Sequence, residues 1–275
     1  KFLSIQFYIG LFRMPDLTFY LKSLASCGPS IGCLDGICAI KEGKWNEEEY
    51  IIRDWSPDMS FMPPRKFRRL SRLSKMALYA AHHASVAGTK QEASIGAPIF
   101  CSRYGELQHT VQVLDAIIFE EPVSPMNFSY SVYNTGQGLF SILNEDDRPA
   151  TAISSRGPII EEAMVKAAAQ LFAGDESVLI VYHEDQLHEV YEDLVDPEIL
   201  PLSFAFVVSH DCKEALQKIT LSSKPNSKVE VEETNIITRI SNRHERNILK
   251  LLANKKSEVL IGGKRLIWRW SCDNV

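Results

Sequence analysis

The chain has 275 residues, 45% of them hydrophobic and 24% charged, with a formal net charge of -5. That length supports one large domain or two small ones around a sizeable core, and the acidic balance gives no case for a nucleic-acid binder. No apolar run approaches the roughly 18 residues that span a bilayer.

Taken in order, "FLSIQFYIGLF" is apolar but short, and without a basic leader and small-residue cleavage site it reads as a first strand, not a signal peptide. Residues 13–60 read as irregular, with one short helix near "LTFYLKSL". Six cysteines occur (Cys27, Cys33, Cys38, Cys101, Cys212 and Cys272), none in a CxxC pair. "CGPSIGCLDGIC" has no second ligand group at zinc spacing, so the expectation is reduced thiols in a cytoplasmic chain, with no metal and no cofactor.

"RRLSRLSKMALYAAHHA" (68–84) reads as a helix, with Leu70, Leu73, Met76, Ala77, Ala80, Ala81 and Ala84 at three- and four-residue spacing. His82 and His83 then fall at its C-terminal end, where they suit the dipole, and they point about 100° apart, which disfavours shared metal ligation. "APIFCSRYG" reads as a short buried strand. "ELQHTVQVLDAIIFE" follows with Leu107, Val111, Leu114 and Ile118 on one helical face. "EPVSPMNFSYSVYN" carries two prolines and begins as a loop. "PATAISS" is a strand entering a turn, and "PIIEEAMVKAAAQLFAG" is a helix: Pro158 suits its first turn, Glu161 and Glu162 its N-terminal dipole, Gly174 its end.

"SVLIVYHED" and "LSFAFVVSHD" are continuous apolar runs, read as strands buried on both faces, the second followed by a short helix "CKEALQKI". "SSKPNSK" (222–228) is the best linker candidate. Beyond it lie one amphipathic helix around residues 245–253 and a C-terminal strand, in which Leu266, Trp268 and Trp270 share a face opposite Arg265 and Arg269. Strands alternating with helices imply an α/β fold, a mostly parallel sheet with helices on both faces.

The chemistry question centres on Thr151–Gly157, a tight turn at a helix N-terminus, where backbone N–H groups and the helix dipole favour developing negative charge. Ile153 stands in the turn and cannot attack anything. Ser154 and Ser155 are candidate nucleophiles, but no partner base is identifiable, with His183 and His188 candidates only by presence. The competing reading has both serines capping the helix that starts at Pro158.

"TAISSRG…AAAQLFAGDESVLIVY" resembles the β-ketoacyl synthases of the thiolase fold, whose turn carries Thr-Ala-Cys-Ser/Ala-Ser/Thr before a helix and an apolar strand; Ile153 stands where their catalytic Cys would be. "SPMNFSYSVYNTGQGLFSI" is similar to that family's proline–aromatic loop and N-x-x-x-G helix, "MPPRKFRRLSRLSKMALYAA" to its helix opening, and "LSFAFVVSHDCKEALQKI" to the end of its first half. With "FCSRYGELQHTVQVLDAI", the combination resembles most the β-ketoacyl-synthase-like N-terminal-domain proteins encoded with aryl polyene and related type II lipid–polyketide pathways. The resemblance covers about residues 60–220. No H-G-T-G-T-like stretch with a catalytic His occurs.

The resemblance implies a single thiolase-like domain over 1–275, truncated to roughly the first βαβαβαββ half, with a C-terminal remnant at 229–275. It implies no catalysis, and a chain-length-factor-like role: heterodimerisation with an active β-ketoacyl synthase, and a share in shaping its acyl tunnel. Met126, Phe128, Tyr130, Tyr133, Asn134 and Ile153 would then lie at the tunnel or dimer interface, although aromatics also pack cores. Arg65, Lys66, Arg68, Arg69 and Arg72 have three open readings: a solvated helix face, a dock for an acidic acyl carrier protein, and nucleic-acid contact. A serine-dependent acyltransferase or hydrolase and a standalone carrier-protein-binding module remain the alternatives.

Overall fold

A computed structural model of the chain describes residues 15–35, 55–89, 95–155, 157–194, 200–226, 242–253, 257–263 and 266–275. The strand expected in residues 1–12 lies outside them. The described residues form one sheet of nine strands: β1 (Leu17–Gly28), β2 (Gly32–Asp35), β3 (Ile99–Cys101), β4 (Thr151–Ile153), β5 (Ser177–Glu184), β6 (Leu202–Ser209), β7 (Gln217–Pro225), β8 (Glu258–Gly262) and β9 (Leu266–Asp273). Their order is β4-β3-β5-β6-β1-β7-β9-β8, with β2 added to β1. The mostly parallel sheet expected from the sequence is corrected: only β4–β3–β5 run parallel, and every other pairing is antiparallel.

β5 and β6 are buried along their whole length, as their continuous apolar runs require. Their register runs from Ser177 opposite Ser209 to Glu184 opposite Leu202. Two segments read as helix are strands. "LTFYLKSL" lies in β1, whose register against β6 slips between Leu21 and Ser23. That irregularity moves the inward face from Phe19 and Leu21 to Leu24. Leu17, Leu21 and Leu24 consequently fall at i, i+4 and i+7, a helical spacing produced by a strand. "CKEALQKI" becomes a turn, with Ala215 N–H donating to Cys212 O at 3.1 Å, and then β7. There Gln217 and Ser223 share the buried positions with Ile219 and Leu221, so polar residues mask the two-residue period. The proposed linker at 222–228 likewise begins inside β7, which runs to Pro225.

Seven helices are described: α1 (Pro64–Phe67), α2 (Arg72–Thr89), α3 (Leu107–Ile118), α4 (Pro125–Tyr130), α5 (Thr135–Asn144), α6 (Ile159–Ala173) and α7 (Arg243–Leu252). They cover both faces. On one, α2 lays Met76, Ala77, Ala80, Ala81 and Ala84 over Leu179, Val181, Ala205 and Val207; the small residues let helix and sheet approach closely. Because α2 continues to Thr89, His82 and His83 sit mid-helix, correcting the C-terminal placement. His82 stacks on Phe61 at 4.3 Å and His83 on Tyr79 at 4.1 Å between ring centroids, which pins the segment before α1.

On the other face, α6 and α7 bury Ile160, Met164, Ala167, Ile248 and Leu252 against Phe19, Phe204, Phe206 and Trp270. Each large side chain so buried contributes about 1.5–3 kcal/mol. α6 ends at Gly174, whose φ of 116° suits glycine. Pro158 is its N-cap, one residue earlier than the first-turn position expected, and no side chain caps there. The tail alternates as anticipated, with Trp268 and Trp270 buried and Arg269 exposed. No helix among the described residues is long and apolar enough to cross a membrane.

Candidate functional site

The sheet ends at β4, which pairs with β3 through three residues and has no partner on its other edge among the described residues. Ile153 is its last residue, half-buried and packed against the α6–α7 core. The Ile153 carbonyl accepts the Ser102 N–H at 3.2 Å. The Tyr133 hydroxyl also accepts from Ser102 N–H, at 3.1 Å, and lies against the carbonyls of Ser102 and Ile153. One phenol thus ties the C-terminal ends of β3 and β4 together, and burial pushes its pKa up.

Beyond Ile153 the two serines are held by local bonds. Ser154 Oγ donates to Arg103 O at 3.0 Å. Ser155 Oγ donates to Glu162 Oε1 at 2.9 Å and accepts Gly157 N–H at 3.0 Å, a turn-forming pattern just ahead of α6 and not an N-cap bond. Neither hydroxyl bonds a histidine among these contacts. His183 is buried in β5 beneath Phe100, and desolvation lowers its pKa to about 4. His188 lies beyond β5, where its Nδ1 accepts Val190 N–H at 3.3 Å.

Under the turn lies a polar network that sequence reading missed. Glu184 accepts Ser102 Oγ–H at 3.2 Å and Arg103 N–H at 2.8 Å. The Arg103 guanidinium pairs with Glu245 of α7. Glu161 accepts the Trp270 indole N–H at 2.6 Å. Desolvation pushes Glu161 and Glu184 each up to about 7. These bonds fasten the end of β3 to β5 and α7, and α6 to β9. They join residues up to 142 positions apart, so no local pattern could have announced them.

α3 packs on α4, and Gln137 of α5 donates to Ala150 O, just before β4, at 3.1 Å. Leu114, Ile117, Ile118 and Phe119, at the end of α3, are 48%, 60%, 69% and 69% exposed, and Phe128, Val132 and Ile142 are exposed too. Of the four residues that share one face of α3, only Val111 is buried. Isolated exposed apolar residues are ordinary, but four within the short stretch 114–119 at the end of α3 are the kind of surface that marks an interaction site. The available sequence signal was that 107–118 is apolar on more than one side.

The residues expected at a tunnel or interface divide. Phe128 and Asn134 are exposed; Met126, Tyr130, Tyr133 and Ile153 are half-buried. Ser124 caps α4, accepting Asn127 N–H at 3.3 Å. In the basic run, Arg65, Lys66, Arg68 and Arg69 are exposed on and just after α1. Arg72 turns away from them and forks onto Asp185, Nη2 to Oδ1 at 2.6 Å and Nε to Oδ2 at 3.1 Å. That pair walls a polar cleft of about 320 Å³ shared with Glu106, His109 and Gln112. Among the described residues no group of three or more His, Cys, Asp or Glu is arranged to hold a metal.

The fold has solved counterparts. One is a chain of the ketosynthase ApeO in complex with its chain length factor ApeC from Xenorhabdus doucetiae, with a TM-score of 0.69 at 19% identity over 93% of this chain and 99% of that one. A second is a chain of the ishigamide ketosynthase/chain length factor, with a TM-score of 0.67 at 11% identity over 94% and 100%. A third comes from the AntDE:AntF complex of a type II polyketide acyl-carrier protein with its ketosynthase, with a TM-score of 0.66 at 12% identity over 96% and 100%. Among curated proteins none matches the chain in sequence. Residues 42–271 match the family described as beta-ketoacyl synthase, N-terminal domain; the chain, thiolase-like in fold, belongs to that family.

Proposed function

We propose that this chain is a non-catalytic, chain-length-factor-like subunit that pairs with an active β-ketoacyl synthase and helps shape its acyl tunnel, in aryl polyene or related type II lipid–polyketide assembly. The observation that carries this reading is the exposed apolar stretch at the end of α3, in a chain whose sheet also leaves β4 as an open edge among the described residues. An open edge strand and exposed leucine, isoleucine and phenylalanine are each an aggregation hazard for a lone chain and a ready interface for a partner. Two of the similar solved structures are described as ketosynthases with their chain length factors.

Ile153 supports the non-catalytic part. Its position at the end of β4, before α6, corresponds to the turn where the resembling family has its cysteine, and an alkyl branch neither forms a thioester nor moves a proton. Met126, Phe128, Tyr130 and Tyr133 lie on the segment that the resembling family places at the subunit interface, and there side-chain volume would limit the tunnel; each buried CH₂ of a growing chain is worth about 0.8 kcal/mol until the tunnel ends. Asn134 would contact the partner. Arg65, Lys66, Arg68 and Arg69 supply an exposed cationic patch for an acidic carrier protein, and Arg72, turned to Asp185, positions rather than docks.

The test is co-expression with a ketosynthase encoded beside it. Stable co-purification, with elongation products that change length when Phe128 or Met126 is replaced by Ala, supports the reading. Separate elution and products indifferent to the chain's presence defeat it. A serine acyltransferase is disfavoured by the bonds that occupy Ser154 and Ser155, and labelling by a serine-reactive phosphonate, lost in Ser154→Ala or Ser155→Ala, would reinstate it. A standalone carrier-binding module predicts salt-sensitive binding with no ketosynthase present.

A further inference from the structure

The β1–β2 hairpin brings two thiols together on the far side of the sheet centre from β4. Its loop is "GPSIG", in which Ile31 N–H donates to Gly28 O at 3.2 Å and Gly32 takes a φ of 72°. A tight turn followed by a left-handed glycine fixes hairpin register. That register sets Cys27 directly opposite Cys33, one pair in from Gly28 opposite Gly32. Directly opposed residues in an antiparallel pair have Cα atoms about 4.5–5.5 Å apart, inside the span of about 4.4–6.8 Å that a disulfide bridges. The sulfurs are 2.8 Å apart and unjoined, against a bonded length of about 2.05 Å.

The environments of the two sulfurs differ. Cys27 is fully buried, whereas Cys33 is half-buried at the rim of the same apolar cluster, which includes Met59, Met62 and Phe61. An oxidant arriving from solvent meets Cys33 first, and the thiol facing it across the hairpin is that of Cys27.

From this geometry we propose that Cys27 and Cys33 form a peroxide-oxidisable cross-strand thiol pair. The Cys33 sulfur attacks a peroxide oxygen; the O–O bond breaks, an S–O bond forms, and the first water leaves, giving a sulfenic acid. The Cys27 sulfur then attacks the Cys33 sulfur. The S–S bond forms as the S–O bond breaks, and the departing hydroxide takes the Cys27 proton as a second water. Two thiols lose two hydrogens and two electrons, and one hydrogen peroxide becomes two waters. The bridge fastens β2 to β1 beneath the segment that leads into the basic residues of α1.

The experiment treats the full-length chain with hydrogen peroxide, blocks remaining thiols with iodoacetamide, and analyses the tryptic peptide from Ser23 to Lys41, which holds Cys27, Cys33 and Cys38. The expected product has lost two hydrogens, carries one alkyl group on Cys38, and yields no backbone fragments between Cys27 and Cys33; dithiothreitol restores three alkylation sites. Cys38→Ser leaves the two-hydrogen loss in place, and Cys33→Ser abolishes it. Full alkylation after peroxide, a sulfinic acid on Cys33 with Cys27 still alkylatable, or a bridge to Cys38 each overturns the proposal. None of these outcomes depends on the ketosynthase pairing.

Discussion

α3 and α6 make an instructive pair. Both are helices of a dozen residues or more and rich in apolar side chains, and both follow a short parallel strand. α6 encloses its apolar face within the chain: Ile160, Ala163, Met164, Ala167 and Leu171 are buried against β5, β6 and β9. α3 buries only Val111 and presents Leu114, Ile117 and Ile118 to solvent. The same kind of sequence pattern therefore serves two purposes. Where the chain supplies its own opposing surface, periodicity marks a core; where it does not, periodicity marks exposed surface, which the function proposed above assigns to a partner. The contrast yields tests in which intrachain stability and partner binding respond separately.

The largest stability effect is expected on the closed side. Phe206, fully buried in β6 between Phe204 and the helices above it, should cost about 3–5 kcal/mol as Phe206→Ala. Urea unfolding of the purified chain measures this. A loss under 1 kcal/mol would mean that the α6 side of the sheet is not the tightly packed core described.

Next comes the pH dependence of the network that fastens α6 and α7 to the strands. Glu184 rises from 4.5 to about 7 because burial penalises its carboxylate, so the folded state holds a proton there that the unfolded state releases at lower pH. Its contribution is fully present below pH 4.5 and is lost as pH rises through 7, on the order of 1 kcal/mol per pH unit between those limits. Glu161 acts in the same sense. His183, lowered to about 4, acts in the opposite sense between pH 4 and 6.5. Glu184→Gln removes one of these contributions. Wild type should therefore lose stability relative to Glu184→Gln as pH is raised from 5 to 8; a constant difference between them would show that Glu184 titrates like an exposed carboxylate.

These elements also mark what the sequence could disclose. β5, β6, α6, α7 and the Trp268/Trp270 alternation were legible because each pattern is long, uninterrupted and satisfied within the chain. β1 was not, because the slip after Leu21 gave its leucines helical spacing. β7 was not, because Gln217 occupies a buried position where its side-chain amide donates to Leu252 O at 3.3 Å. The sheet's directions were hidden too: helical segments between strands suggest parallel crossovers, yet β6, β1, β7, β9 and β8 join antiparallel. At the candidate site, the turn at Ile153 and the aromatic loop were readable from local motif. The hydrogen bonds from Tyr133 to the strand ends, the Arg103–Glu245 pair and the exposed face of α3 required the fold.

A smaller effect is expected at the seam between the two regions. Tyr133→Phe keeps the ring and removes the hydroxyl that meets Ser102 and Ile153. With the Ser102 N–H still bonded to Ile153 O, the loss should be about 1 kcal/mol, the net worth of an ordinary hydrogen bond. Hydrogen exchange at the Ser102 amide should rise while that of β6 is unchanged. Equal acceleration across β6 would indicate that Tyr133 supports the whole sheet and not only its β4 end.

The smallest stability effect belongs to the open side. Ile118 is 69% exposed, so Ile118→Lys should change the unfolding free energy of the isolated chain by no more than about 0.5 kcal/mol. The same substitution places a cation in the middle of an apolar contact, where an unpaired buried charge costs several kcal/mol. Co-purification with a ketosynthase should then fall by at least tenfold while the melting curve stays put. Phe172→Lys is the matched control: that side chain is 78% exposed near the end of α6, with its ring against His210 just after β6, and its replacement should leave pairing unchanged. If Ile118→Lys and Phe172→Lys behaved alike in the pairing assay, exposure on α3 would carry no more meaning than exposure anywhere else, and the distinction between the two helices would collapse.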